Sequence, residues 1–144
     1  MSVEPQTPND EPGAWVSGAA MMDTVYGEGF SARLPQEGQH PFLLDTVEHL
    51  FADIWSRPGL SVRDRRLLVI GATAALGRSD LIRIQALGAL RKGELDAPQL
   101  HEALLQLAYY VGWGNASAVG AGFDAAMADF DALNQKHDDQ EGHS

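Results

Sequence analysis

The sequence contains no cysteine and no long apolar run, and these two absences narrow the possible functions. Without cysteine there are no disulfides, no thiol catalysis, no thiolate zinc sites and no iron–sulfur clusters. No apolar run approaches the ~20 residues that span a bilayer, and no apolar stretch follows a basic start as it does in a signal peptide. We therefore expect a cytoplasmic protein that does not bind a membrane.

Basic residues are also scarce, because ten lysines and arginines stand against twenty acidic residues, for a formal net charge of −10. Most of the acidity lies at the ends: residues 1–13 carry −3 and residues 124–144 carry −5. No basic stripe is present between them, so nucleic acid is not an expected partner. We predict disordered polar tails at residues 1–13 and 136–144, flanking one domain at residues 14–135.

Apolar residues recur with helical spacing, and no run alternates as a β-strand does, so the predicted fold class is all-α. The first and sixth of six predicted helices cover Trp15–Tyr26 and Ala116–Leu133. The other four begin at a proline or at a capping residue: Pro41, Ser61, Ser79 and Asp96. The second helix carries an apolar stripe with helical spacing, made of Leu43, Val47, Leu50 and Ile54.

The fourth helix, around Leu81–Lys92, is apolar on every side, which predicts burial on every side. Arg83 and Gln85 interrupt that surface on nearly opposite faces. A buried charge needs a partner. In one interpretation Arg83 meets a structural carboxylate and Gln85 a backbone group, and in the other one of them lines a small-molecule pocket.

Two further groups of polar residues allow more than one interpretation. His49 and Asp53 are four residues apart on the polar side of the second helix. They are either a solvated pair on the surface or an acid/base pair that faces a cleft between subunits. Three arginines, at 63, 65 and 66, crowd the start of the third helix, where the helix dipole is already positive. Carboxylates such as Asp53 or Glu48, or an anionic ligand, are expected to offset them.

The segment Asp53–Leu60, Asp-Ile-Trp-Ser-Arg-Pro-Gly-Leu, followed by Arg63-Asp64-Arg65, resembles the block E-V-W-x-R-P-G-L-x-x-R-x-R of carboxymuconolactone decarboxylases. Residues 74–78 and 88–90 resemble the next two blocks, and residues 104–112 resemble the family's L-L-Q-x-A-x-Y-x-G. The resemblance covers roughly Phe42–Phe130. It implies an all-α subunit, related to the alkylhydroperoxidase-D fold, that assembles as a homotrimer or homohexamer with sites near subunit contacts.

The resemblance also indicates which residues of this chain stand at the family's catalytic positions. Decarboxylases of this family place a histidine where this chain has Gln85 and a glutamate where it has Leu81, whereas their arginine is kept as Arg83. Their glutamate before the tryptophan block is Asp53 here. The peroxidase branch uses a Cys-x-x-Cys pair, so the absence of cysteine excludes a thiol peroxidase.

These features favour a cofactor-independent lyase or isomerase of aromatic catabolism, acting on a small anionic lactone, cyclic or keto-acid substrate. Decarboxylation and proton transfer both require stabilisation of an enolate-like anion, which cations in a dry pocket provide. The predicted acid/base residues are Asp53 and His49, and no metal or cofactor is expected. The predicted substrate-binding residues are Arg57, Arg65, Arg83, Gln85 and Trp55. The alternative is a non-catalytic oligomeric binding or scaffold protein that kept the fold and lost the histidine.

Overall fold

The computed structural model describes residues 11–35 and 40–142, and this part of the chain is helical without any strand. The all-α prediction is therefore confirmed. A 3-10 turn at Ser31–Arg33 follows the first helix, and a π-helix, Thr46–Ile54, continues the second. Within the described ranges the α-helices are α1 (Ala14–Tyr26), α2 (Pro41–Asp45), α3 (Val62–Ala75), α4 (Ser79–Arg91), α5 (Ala97–Val111) and α6 (Trp113–Glu141). Most of the predicted N-terminal tail, residues 1–10, lies outside the described residues.

Two of the predicted helix starts are confirmed with their caps. Ser61 Oγ accepts a hydrogen bond from the Asp64 amide at 3.0 Å and so caps α3. Asp96 and Gln99 form a reciprocal capping box at the start of α5. The predicted cap at Ser79 is wrong, because Ser79 is the first residue of α4 and no side chain caps that end.

The main core lies where α4 packs along α6, with α3 and α5 closing it. Its fully buried residues include Ile82 of α4, Leu100 of α5 and Phe123 of α6. Burial of these apolar side chains is the main source of the fold's stability. A second cluster joins α1 to the π-helix through Met22, Val25, Val47, Phe51 and Trp55.

The π-helix changes which residues of the second helical segment are buried. The Trp55 amide donates to the Leu50 carbonyl at 2.9 Å, an i→i−5 bond that widens the turn. Residues four apart, Val47, Phe51 and Trp55, therefore face the core, while Leu50 and Ile54 are 42% and 45% exposed. The predicted stripe through Leu50 and Ile54 is wrong, because it assumed α-helical spacing.

The last helix is longer at both ends than the sequence predicted. Gly112, at φ 84°, alone separates α5 from α6, so α6 begins at Trp113 rather than Ala116. At the other end α6 continues past Leu133 to Glu141, because no proline or glycine intervenes before Gly142. Most of the predicted C-terminal tail, residues 136–141, is thus helical.

Helices approach closely where one of them carries glycine. A methyl group on Gly18 of α1 would overlap the backbone carbonyl of Val47 in the π-helix. One on Gly88 of α4 would overlap the carbonyl of Val25 in α1. Within residues 11–35 and 40–142, no helix has both the length and the apolarity that crossing a bilayer requires.

Candidate functional site

A small apolar groove lies between the π-helix and α3, with a volume of about 190 Å³. The widened register of the π-helix turns Leu50 and Ile54 outward, and they form one wall. Leu68 and Val69 of α3 form the other wall. Trp55 and Arg65, two of the predicted substrate-binding residues, also line this groove.

Arg65 is the charged residue of the groove. Its Nη2 donates to the Arg57 carbonyl at 2.9 Å, which fixes the guanidinium against the turn before α3. Its Nε is buried, and in the described residues it is the one buried side-chain nitrogen or oxygen atom without a hydrogen-bond partner. A buried donor left unpaired costs about 1–3 kcal/mol.

Neither Asp53 nor Arg57 lines the groove, but the two residues pair with each other, and the Arg57 carbonyl accepts the hydrogen bond from Arg65. Asp53 Oδ1 is 3.6 Å from Arg57 Nη1, and its side chain is 58% exposed. The predicted pairing of Asp53 with His49 is wrong: His49 Nδ1 is instead 3.0 Å from Asp45 Oδ1.

A buried polar cluster of Arg66, Glu94 and Gln85 lies on the other face of α3, and the sequence analysis missed it. Arg66 is fully buried, and its Nε and Nη2 donate to the two carboxylate oxygens of Glu94 at 2.5 and 3.2 Å. Its Nη1 donates to both the backbone and side-chain oxygens of Gln85 at 3.2 and 3.1 Å. The carboxylate that offsets Arg66 is therefore Glu94, and neither Asp53 nor Glu48, the carboxylates named as candidates; Arg63 lies 3.9 Å from Asp64.

One signal in the sequence could have identified Arg66 as buried. It lies four residues before Ile70, and that spacing places it on the core-facing side of α3. The charge of Arg66 also acts on Tyr26. Burial raises the pKa of the Tyr26 phenol, and the positive charge of Arg66 partly opposes that rise.

The structure separates Gln85 and Arg83 from the groove. Gln85 is buried and bound to Arg66, and it does not line the groove. Arg83 pairs with a structural carboxylate, Asp129, through two hydrogen bonds of 2.7 Å. That pairing lowers the pKa of Asp129 and raises the pKa of Arg83.

The predicted burial of Arg83 is wrong, because α4 is not covered on every side. The Arg83 side chain is 50% exposed, and the neighbouring Ile84 is 40% exposed. Of the predicted site residues, Trp55 and Arg65 line the groove, Arg57 contacts Arg65 through its carbonyl and pairs with Asp53, and His49, Arg83 and Gln85 have other partners.

Comparison with known protein families adds an independent finding. Residues 41–128 match the model of the carboxymuconolactone decarboxylase family, a span that includes the groove, the buried polar cluster and most of the main core. No curated protein and no solved structure matches the chain.

Proposed function

Because this chain belongs to the carboxymuconolactone decarboxylase family, we propose that it is a cytoplasmic, cofactor-independent enzyme acting on a small anionic lactone, cyclic or keto acid. The substrate binds in the groove between the π-helix and α3. The observation that supports this site is Arg65, a cation that lines an apolar groove and whose Nε–H is buried without an acceptor. A carboxylate or enolate oxygen is the acceptor that fits a cationic donor best.

The proposed chemistry is decarboxylation or proton transfer through an enolate-like anion. In decarboxylation the bond to the carboxylate carbon breaks, CO₂ leaves, and the remaining electron pair is held as an enolate until carbon is protonated. In isomerisation a base removes a proton from carbon and an acid returns it to another carbon. Arg65 stabilises the anion in both reactions, and the low polarity of the groove strengthens that interaction.

Asp53 is the proposed proton-transfer group, because it precedes the groove residue Ile54 in the π-helix and its carboxylate is accessible. Arg57, 3.6 Å away, orients it. His49 is the second candidate, since it precedes the groove residue Leu50 and a carboxylate, Asp45, positions its ring. Histidine paired in this way is a common general base.

The first experiment measures binding and turnover with muconolactone for the wild type and for Arg65→Met. We expect the variant to bind roughly 10- to 100-fold more weakly, because a hydrogen bond to a charged group contributes ~1.5–3 kcal/mol. Arg78→Met is the matched control: Arg78 pairs with the exposed Asp80, away from the groove, and its loss leaves binding unchanged. Equal affinity for wild type and Arg65→Met would contradict the assignment of the groove.

The same substrate in D₂O distinguishes an enzyme from a binding protein. NMR is expected to show deuterium entering the carbon next to the carbonyl in the presence of the wild type, and Asp53→Asn should slow this exchange by about 10²–10⁴-fold at unchanged affinity. If His49→Gln slows the exchange more than Asp53→Asn does, His49 and not Asp53 is the proton-transfer group. Tight binding by the wild type with neither exchange nor CO₂ release would establish the non-catalytic alternative instead.

Self-association as a homotrimer or homohexamer is part of the proposal. Large apolar side chains are unusually exposed in the subunit, and they include Leu50, Leu68, Leu76, Tyr109, Tyr110 and Trp113. Exposed apolar patches of this kind usually mark interfaces. We expect light scattering at micromolar concentration to give three or six times the subunit mass, and a monomer would refute this.

A further inference from the structure

A second cavity lies between the end of α1, α4 and the C-terminal half of α6. Its volume is about 370 Å³, within the ~300–1,000 Å³ of small-molecule sites. It shares no lining residue with the groove at Arg65. Its apolar surface comes from three elements of the fold, through Tyr26, Phe30, Ile84, Leu87 and Leu133.

Positive charge is concentrated around this cavity in an otherwise acidic chain. Arg33, Arg91 and Lys136 line it, and Arg83 binds a fourth lining residue, Asp129. Four of the ten basic residues of the sequence therefore meet at one place. In the part of the chain that the structure describes, neither Arg33 nor Lys136 forms an ion pair.

The acidic residues of the cavity do not cancel this charge. The Asp129 carboxylate is already neutralised by its two hydrogen bonds to Arg83. Glu28 is the other acidic lining residue, so an incoming ligand meets three cations against one unpaired carboxylate. Such an excess in a partly enclosed apolar site favours an anion.

The backbone fixes the position of Arg91 at the cavity. Its Nη2 donates to the Glu28 carbonyl at 3.4 Å, and its guanidinium lies against Gly27, where a Cβ would overlap it. Gly27 has φ 114°, a conformation that side-chain-bearing residues rarely adopt. Arg91 is thus held by the backbone, while Arg33 and Lys136 have their charged ends available.

We propose that this cavity binds a small amphipathic monocarboxylate, whose apolar body packs on Phe30, Ile84 and Leu87. Its carboxylate is bound by Arg33 and Lys136, with Arg91 as the third cation. The site is separate from the proposed catalytic groove and does not depend on that function. Burial of an eight-carbon apolar chain favours binding, and the charge selects the anion over a neutral analogue.

The test compares octanoate with 1-octanol by isothermal titration calorimetry of the full chain. We expect saturable binding of octanoate at one site per subunit, and at least about tenfold weaker binding of 1-octanol, which has the same chain without the charge. Equal affinities for the two ligands would overturn the proposal. So would the absence of octanoate binding below its micelle-forming concentration.

Variants of exposed residues locate the site without disturbing the core. Lys136→Gln and Arg33→Gln should each weaken octanoate binding several-fold, and Glu28→Gln should strengthen it, because it removes the one unpaired negative charge. Lys92→Gln is the matched control, since Lys92 is exposed just after α4 and does not line the cavity. A control that weakens binding as much as Lys136→Gln would show a general charge effect and refute the site.

Two further variants separate this site from the catalytic proposal. Ala132→Trp places a large ring at a lining position of exposed α6 surface and is expected to abolish octanoate binding without changing charge. Arg65→Met should leave octanoate binding intact. Loss of octanoate binding in Arg65→Met, with retention in Ala132→Trp, would place the ligand in the groove and overturn this inference while leaving the proposed function standing.

Discussion

Replacing Arg66 by methionine is expected to lower the free energy of unfolding by about 3–5 kcal/mol, as for other buried ion pairs that lose one partner. Arg66 is fully buried, and its loss leaves the Glu94 carboxylate and the Gln85 side-chain oxygen without their donor. Because total stability is only ~5–15 kcal/mol, the loss is a large share of it. For a chain of this length, a drop of ~3 kcal/mol lowers the melting temperature by roughly 6–12 °C.

Two comparisons make this result specific to the buried pair. Arg83→Met also removes an arginine with a carboxylate partner, but that pair is half-exposed, and we expect a change in melting temperature close to experimental error. The double variant Arg66→Met/Glu94→Gln removes both charges and should recover most of the loss. Melting curves must be recorded at one protein concentration, since self-association adds to stability. If Arg66→Met and Arg83→Met melt at the same temperature, the buried pair does not stabilise the fold as argued.

Gly18→Ala is the second substitution with a large expected effect. Its methyl group would overlap the carbonyl oxygen of Val47, a backbone atom of the π-helix that cannot rotate away as a side chain can. The two helices must then separate, which opens the cluster around Val25 and Phe51. Overpacking typically costs ~1–3 kcal/mol, and a clash with backbone belongs at the upper end of that range.

Gly71→Ala provides the matched control for this substitution. Gly71 is also inside a helix, but nothing lies within 4 Å of the position its Cβ would take. Alanine there is expected to raise the free energy of unfolding by ~0.5–1 kcal/mol, because glycine in a helix interior is disfavoured by that amount. The urea concentration at the midpoint of unfolding should therefore fall for Gly18→Ala and rise for Gly71→Ala. Destabilisation of both variants by the same amount would contradict the close approach at Gly18.

The fold could be predicted from the sequence where local signals decide it. The caps at Ser61 and Asp96 and the helical periodicity of α5 depend on neighbours within one turn, and the structure confirms them. The π-helix could not be predicted in this way. Its hydrogen bonds leave no mark in residue type, so the exposure of Leu50 and Ile54 was assigned wrongly.

The candidate site was predicted only in part, because its partners are distant in sequence. Of the residues that the family resemblance singles out, Trp55 and Arg65 line one groove, and Arg57 contacts Arg65 through its backbone carbonyl. Arg66 of α3 pairs with Glu94 in the connection between α4 and α5, and Arg83 of α4 pairs with Asp129 of α6; these partners are 28 and 46 residues apart, and no local pattern encodes them. Burial of Arg83 was predicted from a helix that is apolar in sequence yet uncovered on one side.

The π-helix also determines how this subunit can change in length. A π-helical turn holds one residue more than an α-helical turn, so this segment can lose one residue and become α-helical while the residues on either side keep their orientation. Such a deletion would leave Trp55 directed towards its cluster and the Arg57 carbonyl near Arg65. A deletion inside α3 would instead rotate every later residue of that helix by about 100° and turn Arg66 away from Glu94.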